Sequence, residues 1–141
     1  MTPGRLADGL TAAAFVVVFA LGMGLIAVDP LATAPVRIDI RIRYSHFDPA
    51  AVTVPHGQPV TFVLHNNDPI AHEWMVGDDA LHVAHRTGTE PFHASRPTEV
   101  SIPALSTVET TVTFDDPVAW RYVCHLPGHE AYGMVGVVNA R

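Results

Sequence analysis

From residue 36 onward the chain alternates. Val36, Ile38, Ile40, Ile42 and Tyr44 are separated by Arg37, Asp39, Arg41 and Arg43. An apolar–polar period of two over that length predicts a half-buried strand at 36–44. Shorter β-rich runs follow at 52–54, 59–66, 72–76, 99–102, 108–114, 120–124 and 135–139. Turn signals separate them: Phe47-Asp48-Pro49, Pro55-His56-Gly57, Asn67-Asp68-Pro69, Pro103-Ala104 and Asp115-Asp116-Pro117. About seven to eight short strands, with no strong helix among them, predict an all-β antiparallel sandwich. The stretch 77–97 breaks the pattern. Asp78 or Asp79 is placed to cap a turn or two of helix ending near Arg86, and the rest reads as loop.

Ahead of the strands the pattern is different. Residues 10–28 run for 19 positions without a charge. That is close to the length of apolar helix that crosses a bilayer, and longer than a usual signal-peptide core. The expectation is a short tail at 1–9, a retained transmembrane anchor at 10–28, a linker at 29–35 and a single domain at 36–141. Arg5 favours an outside location for that domain, at the cell surface or in a periplasm. The alternative is a cleaved signal. Ala32-Thr33-Ala34 has the small residues of a cleavage site and would release a secreted domain, although Pro35 fits poorly after the cut.

Charge narrows the partners. Acidic residues outnumber basic ones by 14 to 8, and the net charge of −6 argues against nucleic acid. The single cysteine excludes an internal disulfide. Nine histidines are many for a chain of 141 residues, and they tilt the reading towards metal handling.

The candidate chemistry lies in Tyr122-Val123-Cys124-His125-Leu126-Pro127-Gly128-His129-Glu130-Ala131-Tyr132-Gly133-Met134. Cys124, His129 and Met134 are spaced five apart on one loop between two strands. Thiolate and imidazole bind copper or zinc, while a thioether matters mainly to copper. A second histidine must come from elsewhere. His72 suits best, since it follows the break at Pro69 and opens an apolar strand. His46, His56 and His65 lie in turns or at a strand end and read as solvated or locally hydrogen-bonded. Two other readings compete: a buried structural thiol beside an unrelated His and Met, and a nucleophilic Cys124 with His125 or His129 as base.

His72-Glu73-Trp74, followed by Cys124-x4-His129-x4-Met134-x-Gly136, resembles the cupredoxins, the plastocyanin- and azurin-like blue copper proteins. Tyr122 to His129 is the most specific part. The resemblance covers about residues 36–141. It implies a Greek-key sandwich holding one type 1 copper ion through His72, Cys124 and His129 roughly in a plane, with Met134 as a long axial ligand. It further implies a monomeric, non-enzymatic carrier of single electrons between transient redox partners, with His129 as the electron port. Delivery or buffering of copper would use the same four ligands.

Two features depart from that pattern. Many cupredoxins carry an Asn after the first ligand, tying the ligand loops together, and here the residue is Glu73. The 77–97 insertion is also long, and it carries His82, His85 and His93. On a helix His82 and His85 would share a face, which makes a second metal ion with His93 one option and a polar cover over a sheet edge the plainer one. His125 should point away from Cys124, because neighbours on a strand alternate faces.

Overall fold

The computed structural model describes residues 35–87 and 96–141. The tail, the apolar run at 10–28, the linker up to residue 34 and His93 lie outside them. Among the described residues, no helix is long and apolar enough to cross a membrane.

The alternating segment forms β1 (Val36–Arg43), with Ile40 and Ile42 fully buried and the arginines outside. It is followed by β2 (His46–Asp48), β3 (Ala51–Val54), β4 (Pro59–Asn66) and β5 (His72–Gly77). Helix α1 (Asp79–Arg86) comes next, then β6 (Glu99–Ile102), β7 (Thr107–Thr113) and β8 (Ala119–Val123). A single helical turn, α2 (His129–Tyr132), precedes β9 (Val135–Ala140). The described strands number nine and form two sheets, ordered β2-β1-β4-β7 and β3-β9-β8-β5-β6.

Inward residues of the two sheets meet in one core. Phe62 of β4 packs on Trp74 of β5 with ring centroids 4.9 Å apart, and Trp74 in turn lies 6.0 Å from Tyr122 of β8. All three are fully buried, and a large apolar side chain so placed contributes roughly 1.5–3 kcal/mol. Tyr122 donates its hydroxyl proton to the Pro49 carbonyl at 2.8 Å. Its ring lies so close to Gly136 that any Cβ there would collide with it. The cross-strand pair Tyr122↔Gly136 therefore needs a glycine.

Three details differ from the sequence expectation. β1 stops at Arg43, because Tyr44 and Ser45 both turn left-handed, at φ 55°. The residues read as a turn at 47–49 include β2, whose Phe47 pairs with Ile42 and enters the core. The sandwich is also not wholly antiparallel: β1 runs parallel to β4, and β3 parallel to β9. Alternation looks the same for either strand direction. What sets the direction is the excursion of the chain through β3 in the other sheet before β4 returns beside β1. Helix α1 forms where expected, and the Asp78 carboxylate caps it by accepting from the Leu81 amide at 2.9 Å.

Candidate metal centre

Three of the expected ligands converge. Donor atoms of His72, Cys124 and His129 all lie within 4.8 Å of one another. His129 Nδ1 is 3.3 Å from Cys124 Sγ and 3.3 Å from His72 Nδ1.

Each arrives on a different piece of backbone. His72 opens β5, just past the Asn-Asp-Pro break. Its Nε2 donates to Asp68 Oδ2 at 3.0 Å. The neutral ring then carries its lone pair on Nδ1, the atom that faces His129 and the sulphur. Asp68 is itself fixed by the amides of Tyr44 and Ser45, at 2.7 and 2.8 Å. The left-handed turn after β1 thus serves to aim two N–H groups at one carboxylate. Asn66 completes this support: its Oδ1 accepts from the Asp68 amide, and its Nδ2 donates to the carbonyls of Ile70 and Pro103, both at 2.8 Å.

Cys124 follows the last residue of β8. The β5–β8 ladder ends at Met75↔Val123. Beyond it, the amide of Glu73 donates to Cys124 Sγ at 3.3 Å. The tie between ligand loops that Glu73 seemed to forfeit is therefore made by its backbone. The loop onward closes on itself, with Cys124 N–H donating to the Met134 carbonyl at 3.1 Å and Met134 N–H to the His129 carbonyl at 3.0 Å. Gly128 and Gly133, at φ 86° and 103°, bracket the α2 turn that swings His129 back over the sulphur.

Burial sets the electrostatics. Cys124 and His72 are buried, while His129 is half-buried. Burial pushes the Cys124 thiol up, against the amides of Glu73 and Leu126, which favour the thiolate. Burial pushes His72 down, opposed by Asp68. Burial alone would raise the Asp68 carboxyl, but the Ser45 and Tyr44 amides and His72 hold it below the ordinary carboxylate value. Two imidazoles and a sulphur brought together form a cluster of soft and borderline ligands, and a thiophilic cation is what fits it. Met134 is fully buried in the core beneath the loop.

His82 and His85 are not part of this cluster. His65 bonds Asp39 at 2.7 Å and His46 bonds the Tyr44 carbonyl at 2.7 Å, so both make the local hydrogen bonds expected of them. Asp68 and Asn66 are the residues that sequence reasoning missed. A carboxylate four residues before a candidate ligand was the available signal, because metal-bound histidines commonly donate their outer N–H to one.

Sandwich and site together define a metal protein with a histidine–cysteine–histidine centre. The comparisons with known proteins agree. The copper-binding proteins of the plastocyanin/azurin family match residues 34–141, and the chain belongs to that family. It is similar to a copper-resistant cuproprotein CopI of Rubrivivax gelatinosus, 36% identical over 99 residues, covering 67% of this chain and 59% of that protein. It is also similar to a CopI of Pseudomonas aeruginosa, 27% identical over 78% of each chain. Among solved structures it resembles auracyanin A, a blue copper protein of Chloroflexus aurantiacus, at a TM-score of 0.61 and 26% identity, covering 77% of this chain and all of that one. The chain is a copper-binding cupredoxin.

Proposed function

We propose that this cupredoxin carries single electrons, with His72, Cys124, His129 and Met134 as its four copper ligands. Copper bound there would supply one-electron chemistry between its two common oxidation states. The observation that carries the reading is convergence on a rigid frame. His72 and Cys124 sit at the ends of strands paired in one sheet, and Asp68, Asn66 and the Glu73 amide hold them before any ion arrives. A site that is already assembled rearranges little when its charge changes.

Half-buried His129 serves as the electron port. Leu126, Pro127 and Ala131 are its apolar neighbours along the loop, the last two exposed, and form a small apolar docking patch for a transient protein partner. The run at 10–28 tethers the domain to the outer face of a membrane, where the partners are membrane redox proteins. Cys124 is not a nucleophile in this reading. Its sulphur is fully buried and its thiol is pushed up, the reverse of an activated cysteine.

A second reading is copper buffering or delivery, favoured by the copper-resistant cuproproteins among the relatives. One experiment separates the two. The copper-loaded full chain is cycled repeatedly between oxidised and reduced forms beside a strong copper(I) chelator. Retention of the metal, with rapid reduction by a one-electron donor, supports the carrier. Transfer of the metal to the chelator on the first reduction supports delivery.

A further inference from the structure

Outside the centre already described, three histidines gather under α1. His82 is fully buried, and the side chains of His85 and His125 are 3% and 4% exposed. His82 Nδ1 lies 3.0 Å from His125 Nε2. The ring of His85 stacks on that of His125, with centroids 5.7 Å apart and planes 17° from parallel. The charged groups about them are Glu130, whose Oε2 is 3.3 Å from His125 Nδ1, and Glu99, whose Oε2 is 3.8 Å from His85 Nε2. Arg86 holds Glu130 at 2.6 Å, Arg121 approaches it at 3.6 Å, and Arg96 holds Glu99 at 2.9 Å.

The protons of the His82–His125 pair do not add up. His82 Nε2 faces the Arg121 carbonyl at 3.3 Å, which can only accept, so this nitrogen carries the proton and Nδ1 is a bare lone pair. His125 has one proton for two places. Put on Nε2, it satisfies His82 but leaves a lone pair against the Glu130 carboxylate. Put on Nδ1, it faces that carboxylate, although out of line for a hydrogen bond, and leaves two lone pairs 3.0 Å apart. A cation between the two nitrogens removes the conflict. A proton shared between the two rings is one such cation. A metal ion serves as well. Two nitrogens each ~2.0–2.1 Å from a tetrahedral zinc ion are about 3.3–3.4 Å apart, so opening the observed 3.0 Å separation by a few tenths of an ångström seats the ion. The established centre has the same form, with two imidazole nitrogens facing each other at 3.3 Å and the outer nitrogen of one committed to an acceptor.

We propose that His82 Nδ1 and His125 Nε2 ligate a second, borderline divalent cation, with His85 stacked against His125 to fix the plane of its ring. The site is separate from the histidine–cysteine–histidine centre yet joined to it through one peptide bond, since His125 follows Cys124. Lacking a thiolate, it binds more weakly than the first centre and suits zinc or copper(II).

The test uses the full chain, labelled with 15N, loaded with one equivalent of copper and kept reduced so that it is diamagnetic. Zinc is then titrated in while the histidine ring nitrogens are observed. The expected result is a saturable shift of His82 Nδ1 and His125 Nε2 at the first added equivalent, ahead of the exposed His46 and His56. His82→Gln should lose that one equivalent while keeping the copper-thiolate absorption of the first centre. Ring resonances that stay still through several equivalents would overturn the site. So would a His82→Gln protein that folds and binds the same number of zinc ions, or a pair that already shows a shared imidazolium proton at neutral pH. If His82→Gln fails to fold, the wild-type ring shifts decide alone. They are read residue by residue, so they stand whether or not copper occupies the first centre.

Discussion

Two pairs of imidazoles flank one peptide bond. His72 and His129 gather on the Cys124 side, and His82 meets His125 on the other. Both pairs turn ring nitrogens towards each other, at 3.3 and 3.0 Å. They differ in what completes them. The first pair has a sulphur within reach, a carboxylate behind His72 and one half-exposed ring. The second has no sulphur, a carboxylate that two arginines already share, and two buried rings. A ring pair alone is a place to bind a cation. In the proposed carrier, the thiol and the semi-exposed ring would make the first pair a place to pass an electron as well.

Removing the sulphur should erase that difference. Cys124→Ser leaves two nitrogen-only pairs, so the intense visible thiolate-to-copper absorption should disappear altogether, and optical spectra of the copper-loaded variant would show it. An undiminished band would mean that the sulphur is not a ligand.

Loosening the carboxylate should have a smaller effect, confined to the first pair. Asp68→Asn keeps the shape but loses the charge that orients His72. Copper affinity should fall by about 10–100-fold, measured by competition with a chelator, while zinc binding at His82 and His125 stays unchanged. A matching loss at both pairs would point to general loosening of the fold.

Acid should weaken the metal-free protein through both pairs. His72, His82 and His125 all have lowered values, chiefly through burial, and His125 is pushed down to about 4. The unfolded chain takes up these protons as the pH falls through about 6.5, while the folded chain resists. Stability should therefore drop from there downwards. Each ring adds up to about 1.4 kcal/mol per pH unit until its own folded value is reached. Asp68, with its lowered carboxyl, contributes stability that is present above its unfolded value and lost at still lower pH. Urea midpoints between pH 7.5 and 5 would reveal the slope, and metal at either pair should flatten its share. A flat profile without metal would contradict the burial argument.

The least effect is expected far from both pairs. Arg37 and Glu109 form a bidentate bridge on the outer sheet, at 3.2 and 2.7 Å, with both side chains about half exposed. Arg37→Ala should shift neither the thermal midpoint nor metal binding measurably, because such exposed pairs are solvated and screened.

The first pair was legible because its chemistry is local. Cys124, His129 and Met134 lie on one loop, and the alternation of β1 with the β-rich run of β9 announces the frame that carries them. The second pair was not. His82 and His85 do share a face of α1, but their partner is His125, a residue set aside for pointing away from the copper. It does point away, and the docking of α1 decides what it meets, a contact 43 residues apart. Asp68 read only as part of a chain break, since its value as an acceptor depends on the turn at Tyr44 and Ser45. The strand β2 was missed because three residues with one apolar position carry no period. The parallel pairings were missed because alternation carries no direction.

The hydrogen bond from the Glu73 amide to Cys124 Sγ occupies the place where the ladder between β5 and β8 would otherwise continue. One backbone proton therefore sits directly against the sulphur, and in the proposed carrier it would feel any change of charge there. Its chemical shift and its exchange with solvent become an internal gauge of that charge, readable in the native chain without a label on any ligand. A partner that alters the charge at the sulphur would register at Glu73, whichever face of the protein it docks on.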